Sequence, residues 1–585
     1  MKKVAGVALL TLLSAWTLVA AGDEITVPLR FDRYYLPVEI NDALKALHKA
    51  YPELTVLEEV GRSDEGRSLY AMTVNNPKTG APLEKPGIYV DGNIHGNEIQ
   101  GGDISLYLLD YLLGGYGHNK EITELVDRIC FYVVPVVNVD GRYHFMTDPN
   151  TASSNRSLRI PTDDDRDGLV DEDFPDDIDG DGNICQMRKK DPFGRLKTDS
   201  EDARLMIPVK PGEKGEWSLL GHEGLDNDGD GRVNEDSEGY VDPNRNWGFD
   251  WAPPYVQQGS GEYPFSGTGM KALAEWIMIK SNICVGWSFH NYGGMYLRGP
   301  SRKGLGEFPP QDISVYDFIG RQAERITPGY RYLIGWKDLY TTYGDSVEWL
   351  TQIMGAYGYV AEVFQAQAET FRGNAEKPAP PEEERPGMAM LEEGITDRER
   401  IRFNDHLAQG ELFKPWTPFK HPTYGDIEIG GWVKMSSRLS APFMIKDLVH
   451  RNAMVVIFSA KHLPEVELEV TEIKAVGKNL FRVRTRLANP RAVPTMSYLA
   501  QKVKLYPKDM LKVSGAGAKV VAGGLLTDPY RDQVTYKKNN PETQFLVVPG
   551  FGKVEHQFLI EGKGELEVSY ESRHGGKRTK TAVLE

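Results

Sequence analysis

His95 and Glu98 stand three residues apart in Asp91-Gly92-Asn93-Ile94-His95-Gly96-Asn97-Glu98. That spacing lets one turn of chain offer an imidazole nitrogen and a carboxylate oxygen to a single metal ion. Catalytic zinc takes three protein ligands and keeps a fourth position open for water. Two near ligands therefore need a distant third. His290 is the best candidate, because it directly follows the apolar run 285–289. A lone His-x-x-Glu is more often accidental surface polarity, but a second histidine at another strand end shifts the balance toward a site. The chemistry such a set supports is hydrolysis, since zinc lowers the pKa of bound water toward neutrality and polarises a carbonyl.

These residues need a scaffold. Residues 88–90 form a short apolar run leading into the His95 segment, and 103–113 read as an amphipathic helix. Residues 131–137 are a continuous apolar, β-branched run, as expected of a buried parallel strand. Two more such runs cover 283–289 and 357–364, with helical patterns near 270–280, 311–325 and 345–355. The expectation is an α/β domain with a mixed central sheet and helices on both faces. The His95 turn then lies between a strand and a helix, at the carboxyl edge where open α/β sheets build sites. Residues 377–386 read as a surface loop and 396–413 as a helix, while 415–455 show no clear pattern. From about residue 466 the pattern is strictly β, with strands expected over 467–473, 480–487, 499–505, 544–548, 554–560 and 564–570. That spacing suggests a β-sandwich. The expected organisation is a leader over 1–21, a catalytic domain over 22–455 with an acidic insert at 150–241, and a β-sandwich over 456–585.

Four motifs in order resemble the zinc metallocarboxypeptidases related to carboxypeptidase A. They are His95-Gly-Asn-Glu98, Asp242-Pro-Asn-Arg-Asn-Trp247, Ser288-Phe-His-Asn-Tyr292 and Ala361-Glu-Val363. The first is more similar to the carboxypeptidase N and E branch, and the resemblance spans roughly residues 30–412. It implies that His95, Glu98 and His290 bind zinc and that Glu362 is the general base and acid. It further implies that Asn244 and Arg245 clamp the substrate's terminal carboxylate, that Tyr292 borders the substrate pocket and that Tyr340 covers the substrate. Val347 falls at a position lining the pocket for the terminal side chain, where an acid would favour basic substrates and valine does not. For the arginine that polarises the scissile carbonyl, Arg188 in Gln186-Met-Arg-Lys189 matches best. Arg156 and Arg159 are rivals, because the insert spoils the alignment.

The insert departs from that family. It carries Asp163-x-Asp165-x-Asp167-Gly168 with Asp171 next in spacing, and Asp177-x-Asp179-x-Asp181-Gly182. A third copy, Asp226-x-Asp228-x-Asp230-Gly231, is followed by Asn234. Carboxylates on alternate residues before a turn glycine surround hard cations in calcium loops. The helix-loop-helix form with a final glutamate is absent, and these stretches are more similar to thrombospondin and dockerin loops. Calcium is therefore a second expected cofactor; a solvated acidic loop is the plainer alternative.

The net charge of −16 becomes −18 once Lys2 and Lys3 leave with the leader. Residues 163–181 hold 11 acids against Arg166, and 223–238 hold seven against Arg232, so the excess is local. The charge disfavours nucleic acid as a partner. Lys2 and Lys3, an apolar run and small residues at 19–21 have the composition of an export signal, placing the protein outside the cytoplasm, secreted or periplasmic. Three cysteines make no disulfide framework, although one bridge stays open. The expected partner is a peptide or protein with a free C-terminus. The rivals are an amidohydrolase or cell-wall γ-glutamyl peptidase on the same scaffold, and a non-enzymatic calcium-dependent binding protein.

Overall fold

The computed structural model describes residues 27–151, 158–163, 168–236, 239–364 and 395–585. The leader, Arg156, Asp165, Asp167 and the loop expected at 377–386 lie outside the described residues. The central sheet has eight strands in the order Thr55–Arg62, Ser68–Val74, Cys130–Val134, Gly87–Gly92, Ile283–Asn291, Tyr357–Val363, Met295–Arg298 and Arg331–Ile334. Four neighbouring strands, from Cys130–Val134 to Tyr357–Val363, run parallel, and antiparallel pairs flank them. These are the runs that read as fully apolar, because both faces are covered. Leu350 abuts Gly286, while the next residue, Trp287, donates from Nε1 to Ser459 Oγ at 3.0 Å. Successive strand residues point to opposite faces, so helical segments cover both sides of the sheet. The α/β architecture with a mixed sheet holds.

Helix Gln100–Gly115 lies so close to the sheet that side chains are excluded between them. A Cβ on Gly92 would sit 2.3 Å from the Gly101 carbonyl carbon, and one on Gly101 would sit 2.6 Å from the Phe289 carbonyl oxygen. This contact draws the start of the helix, with Glu98 just before it, down onto the strand that carries His290.

The acidic insert contributes strands of its own. Gln186–Lys190, Trp217–His222, Leu196–Thr198 and Met206–Pro208 join Phe413–His421 and Gly425–Trp432 in a six-stranded antiparallel sheet. Its core is small: Cys185, Met187, Ile427, Ile429 and Val433. Short strands with one apolar residue facing in leave a weak sequence signal. The helix expected over 396–413 is Asp397–His406, and Phe413 already opens a strand. A boundary at 455/456 would cut helix Ile445–Lys461, whose Ile445, Val449, Ala453 and Val456 belong to the main core.

The C-terminal β-domain packs a five-stranded sheet against a four-stranded one. Strand Leu480–Asn489 buries every second residue, as one face of a sandwich requires. Residues 499–505 are not a strand. Tyr498–Val503 is a helix, because Asp312 of the catalytic domain accepts from Tyr498 N at 2.9 Å and Leu499 N at 2.7 Å. A carboxylate at that end satisfies otherwise unpaired amides. Cys130, Cys185 and Cys284 are buried free thiols.

Candidate metal centre and active site

His95 and Glu98 lie in the tight turn that leaves strand Gly87–Gly92. Asn93 turns the chain with φ of 60°, and its Nδ2 donates to the carbonyls of His95 and Gly96 at 2.6 and 3.1 Å. Arg142, fully buried, fastens this turn by donating to Asn93 Oδ1 at 2.9 Å, Ile99 O at 2.6 Å and Asp103 Oδ2 at 2.9 Å. His290 lies near the end of strand Ile283–Asn291, and in the parallel ladder it stands directly beside Glu362.

The three expected ligands converge. His95 Nδ1 is 2.9 Å from Glu98 Oε2, His290 Nδ1 is 3.0 Å from the same oxygen, and the two Nδ1 atoms are 3.2 Å apart. All three residues are buried. Their outer atoms fix the proton positions. Ser288 Oγ donates to Asp91 Oδ1 at 2.6 Å and therefore accepts from His290 Nε2 at 3.2 Å. His95 Nε2 faces Asp242 Oδ1 at 3.1 Å and is its donor. Both Nδ1 atoms then point lone pairs at a carboxylate oxygen, three acceptors with no proton among them. A cation satisfies such a set, and the spacing is slightly tighter than the roughly 3.3 Å edge of a tetrahedral zinc site. The residues fit zinc.

Asp242 is a residue that sequence reasoning passed over, although it opens the Asp-Pro-Asn-Arg-Asn motif. It orients His95, and it also accepts from Asn244 N at 2.7 Å. A ligand imidazole is commonly held by a carboxylate in this way. Asp91 supports the other imidazole through Ser288, and burial holds its carboxyl above the ordinary range.

One cavity is bordered by His95, His290, Glu362, Asn244, Arg245, Tyr340 and Val347. Asn244 Oδ1 accepts from Ser346 N at 3.0 Å, which joins its motif to the segment carrying Val347. Arg245 Nη1 donates to the Asn244 carbonyl at 2.7 Å. Val347 is buried and gives an apolar wall, whereas Tyr340 is 41% exposed at the rim. Tyr292 borders a second, neighbouring cavity of about 560 Å³ instead.

Arg188 is not brought to this centre. It lies in strand Gln186–Lys190 of the second sheet, donating twice to Glu428 Oε2 at 2.8 and 2.6 Å. Its guanidinium is sandwiched between Trp217 and Trp416, 4.0 and 4.2 Å from the ring centres. The Met-Arg-Lys pattern that suggested a catalytic arginine marks a stacked structural one. Arg159 lies in a two-residue strand pairing with Tyr240–Val241. Among the described residues Arg438 also comes close to the ligands, with Nη1 3.9 Å from Glu98 Oε1 and its guanidinium 5.3 Å from the Tyr292 ring centre. It follows His290 by well over a hundred residues in a stretch without a motif, so nothing in the sequence marks it.

In the insert, Asp177 and Asp179 gather with Glu223, and Asp226, Asp228 and Asp230 gather together. Asp228 also meets Asp173 and Glu235. Asp163 and Asp171 accept from Gly168 N at 3.2 Å and Thr162 N at 3.0 Å and join no acidic group among the described residues. Asp181 pairs with Lys414 at 3.0 Å, and Asn234 donates to the His222 carbonyl at 2.7 Å. Asp173, Glu223 and Glu235 escaped sequence reasoning because they stand outside the alternating loops.

A three-acceptor centre at the carboxyl edge of a mixed parallel sheet defines an α/β metal-dependent hydrolase. The zinc carboxypeptidase family matches residues 40–195 and 220–384, more than half of the chain, and the protein belongs to that family. A family of domains of unknown function matches residues 465–583. The chain is similar to carboxypeptidase B of Astacus astacus, 25% identical over 338 residues that cover 56% of this chain and 84% of that one. It is also similar to carboxypeptidase D of Homo sapiens, 35% identical over 115 residues, 20% of this chain. That match spans only 8% of the length of the human protein. The solved structure of carboxypeptidase A from Helicoverpa armigera aligns with a TM-score of 0.40 at 16% identity, covering 74% of this chain and 76% of that one.

Proposed function

We propose that the protein is a zinc-dependent exopeptidase that hydrolyses the last peptide bond of a peptide or protein bearing a free C-terminal carboxylate. The observation that carries this reading is that Glu362, Asn244, Arg245 and Tyr340 border the same cavity as the metal centre. His95, Glu98 and His290 would hold the zinc, which when bound supplies a Lewis acid that acidifies water and polarises a carbonyl. Glu362, beside His290 on the adjacent strand, takes the proton of the attacking water and passes it to the leaving amine. Arg245 grips the terminal carboxylate, and the Asn244 oxygen, committed to Ser346 N, leaves its amide nitrogen to donate alongside. Val347 favours an apolar terminal side chain over a basic one. Tyr340 covers the substrate, and Arg438 rather than Arg188 stabilises the developing oxyanion. Calcium in the acidic insert is a second, structural cofactor on this reading, and the composition of residues 1–21 supports action outside the cytoplasm. No described helix is long and apolar enough to cross a membrane.

A peptide library with free and amidated C-termini, digested with and without a zinc chelator, tests the function. Trimming of the free ends alone, abolished by the chelator, is expected. Glu362→Gln should lower kcat by about 10²–10⁴-fold with zinc content unchanged. Equal cleavage of blocked ends would instead favour an amidohydrolase on the same scaffold.

A further inference from the structure

The insert holds two groups of carboxylates that the alternating loops alone do not account for. In the first, Asp177 and Asp179 meet Glu223, with one oxygen from each lying within 4.8 Å of the others. Glu223 is fully buried at the end of strand Trp217–His222. Its Oε1 accepts from Cys185 N at 2.6 Å, and its Oε2 has no hydrogen-bond partner among the described residues. In the second, Asp228 meets Asp173 and Glu235 within the same limit. Asp173 is 1% exposed, and its Oδ1 accepts from Asn227 Nδ2 at 3.2 Å, but its Oδ2 has no donor among the described residues. Glu235 stands against Asp173, and no hydrogen-bond donor among the described residues meets its carboxylate oxygens.

Carboxylate oxygens buried against other carboxylates and left without a donor carry a large desolvation and repulsion cost. Bases beside them do not relieve it: Lys414 is spent on Asp181 at 3.0 Å and Arg232 on Asp230 at 3.2 Å. What satisfies such groups is a hard divalent cation, because every donor is oxygen and the loops are irregular enough for the variable coordination calcium accepts.

We propose two calcium sites in the insert, the first held by Asp177, Asp179 and Glu223 and the second by Asp173, Asp228 and Glu235. The proposal sharpens the calcium reading above, and each site clamps two stretches of chain that lie far apart in sequence. The first joins the loop before strand Gln186–Lys190 to the end of its partner Trp217–His222, next to the Gln186–His222 pair. It also sets the course of Asn183, which borders the large cavity together with Tyr292 and Arg438. The second ties residue 173 to the 228–235 loop that leads toward Asp242.

The test uses the full-length chain, stripped over a chelating resin, reloaded with one equivalent of zinc and titrated with calcium chloride by calorimetry. Two equivalents should bind, and saturating calcium should raise Tm by roughly 3 °C or more. Glu223→Gln should lose one equivalent and Glu235→Gln the other. Because either variant can misfold, amide hydrogen exchange of the unaltered protein provides a second measurement. Calcium should slow exchange in residues 173–183 and 223–235 and leave 467–584 unchanged. Binding of two equivalents by both variants, no calcium uptake, or no slowing in those two stretches would overturn the proposal. Peptide trimming is assayed separately with zinc alone, so failure of the peptidase reading and failure of the calcium sites appear in different measurements.

Discussion

At the scale of single residues, the centre works by where protons cannot be. Ser288 and Asp242 each engage an imidazole at Nε2, which leaves both Nδ1 lone pairs facing Glu98. Asp242→Asn should therefore weaken zinc binding by about 10–100-fold, read by competition with a coloured chelator, because the amide no longer favours the ligating tautomer. The convergence of His95, Glu98 and His290, with Glu362 alongside, was legible because each lies at or shortly beyond an apolar run. Asp242 was printed in a motif, yet its task depends on a side chain 147 positions away in sequence. Arg142 and Arg438 were not legible, since their partners are backbone carbonyls or distant chain segments that no local spacing encodes.

Elements explain why so few motifs suffice. Ile283–Asn291 and Tyr357–Val363 are parallel and in register, so His290 and Glu362 on adjacent strands become neighbours without any loop to place them. The second sheet shows the opposite case. Its strands were illegible because each buries few residues, and Arg188 reads as catalytic when its surroundings are unknown. With Trp217 and Trp416 on its two faces and Glu428 at its end, Arg188 holds that sheet together. Arg188→Ala should cost about 2–4 kcal/mol of stability in a denaturant titration. It should leave kcat and zinc content within about twofold, because its removal acts on the insert and not on the metal centre. A large selective loss of kcat in a stable variant would return Arg188 to the chemistry.

Across the whole molecule, the C-terminal β-domain is bound to the catalytic domain rather than strung behind it. Asp312 caps its first helix, and Arg573 donates to the Ser281 carbonyl. Burial lowers His556 from 6.5 to about 4 and His574 to about 3. An unfolded chain protonates both near 6.5 while the folded one resists, so each contributes stability that is present above 6.5 and lost as pH falls, about 1.4 kcal/mol per unit. Asp509, raised to about 6 by burial, works the other way between 6 and 3.8 and offsets one of them. Stability of this domain should therefore fall on acidification below about pH 6.5, and His574→Gln should flatten the slope in denaturant midpoints taken from pH 7 to 5. A slope unchanged by that variant would count against the buried neutral imidazole. The β-sandwich was legible from its alternation, but its dependence on Asp312 was not.

Strand Gln186–Lys190 takes its second neighbour from Gly425–Trp432, and helix Ile445–Lys461 closes the main core, yet both follow the last family-matched residue. The peptidase segment is consequently not an autonomous folding unit. Cut after its final motif, it would present a naked sheet edge and an uncovered apolar face to solvent, a recipe for self-association.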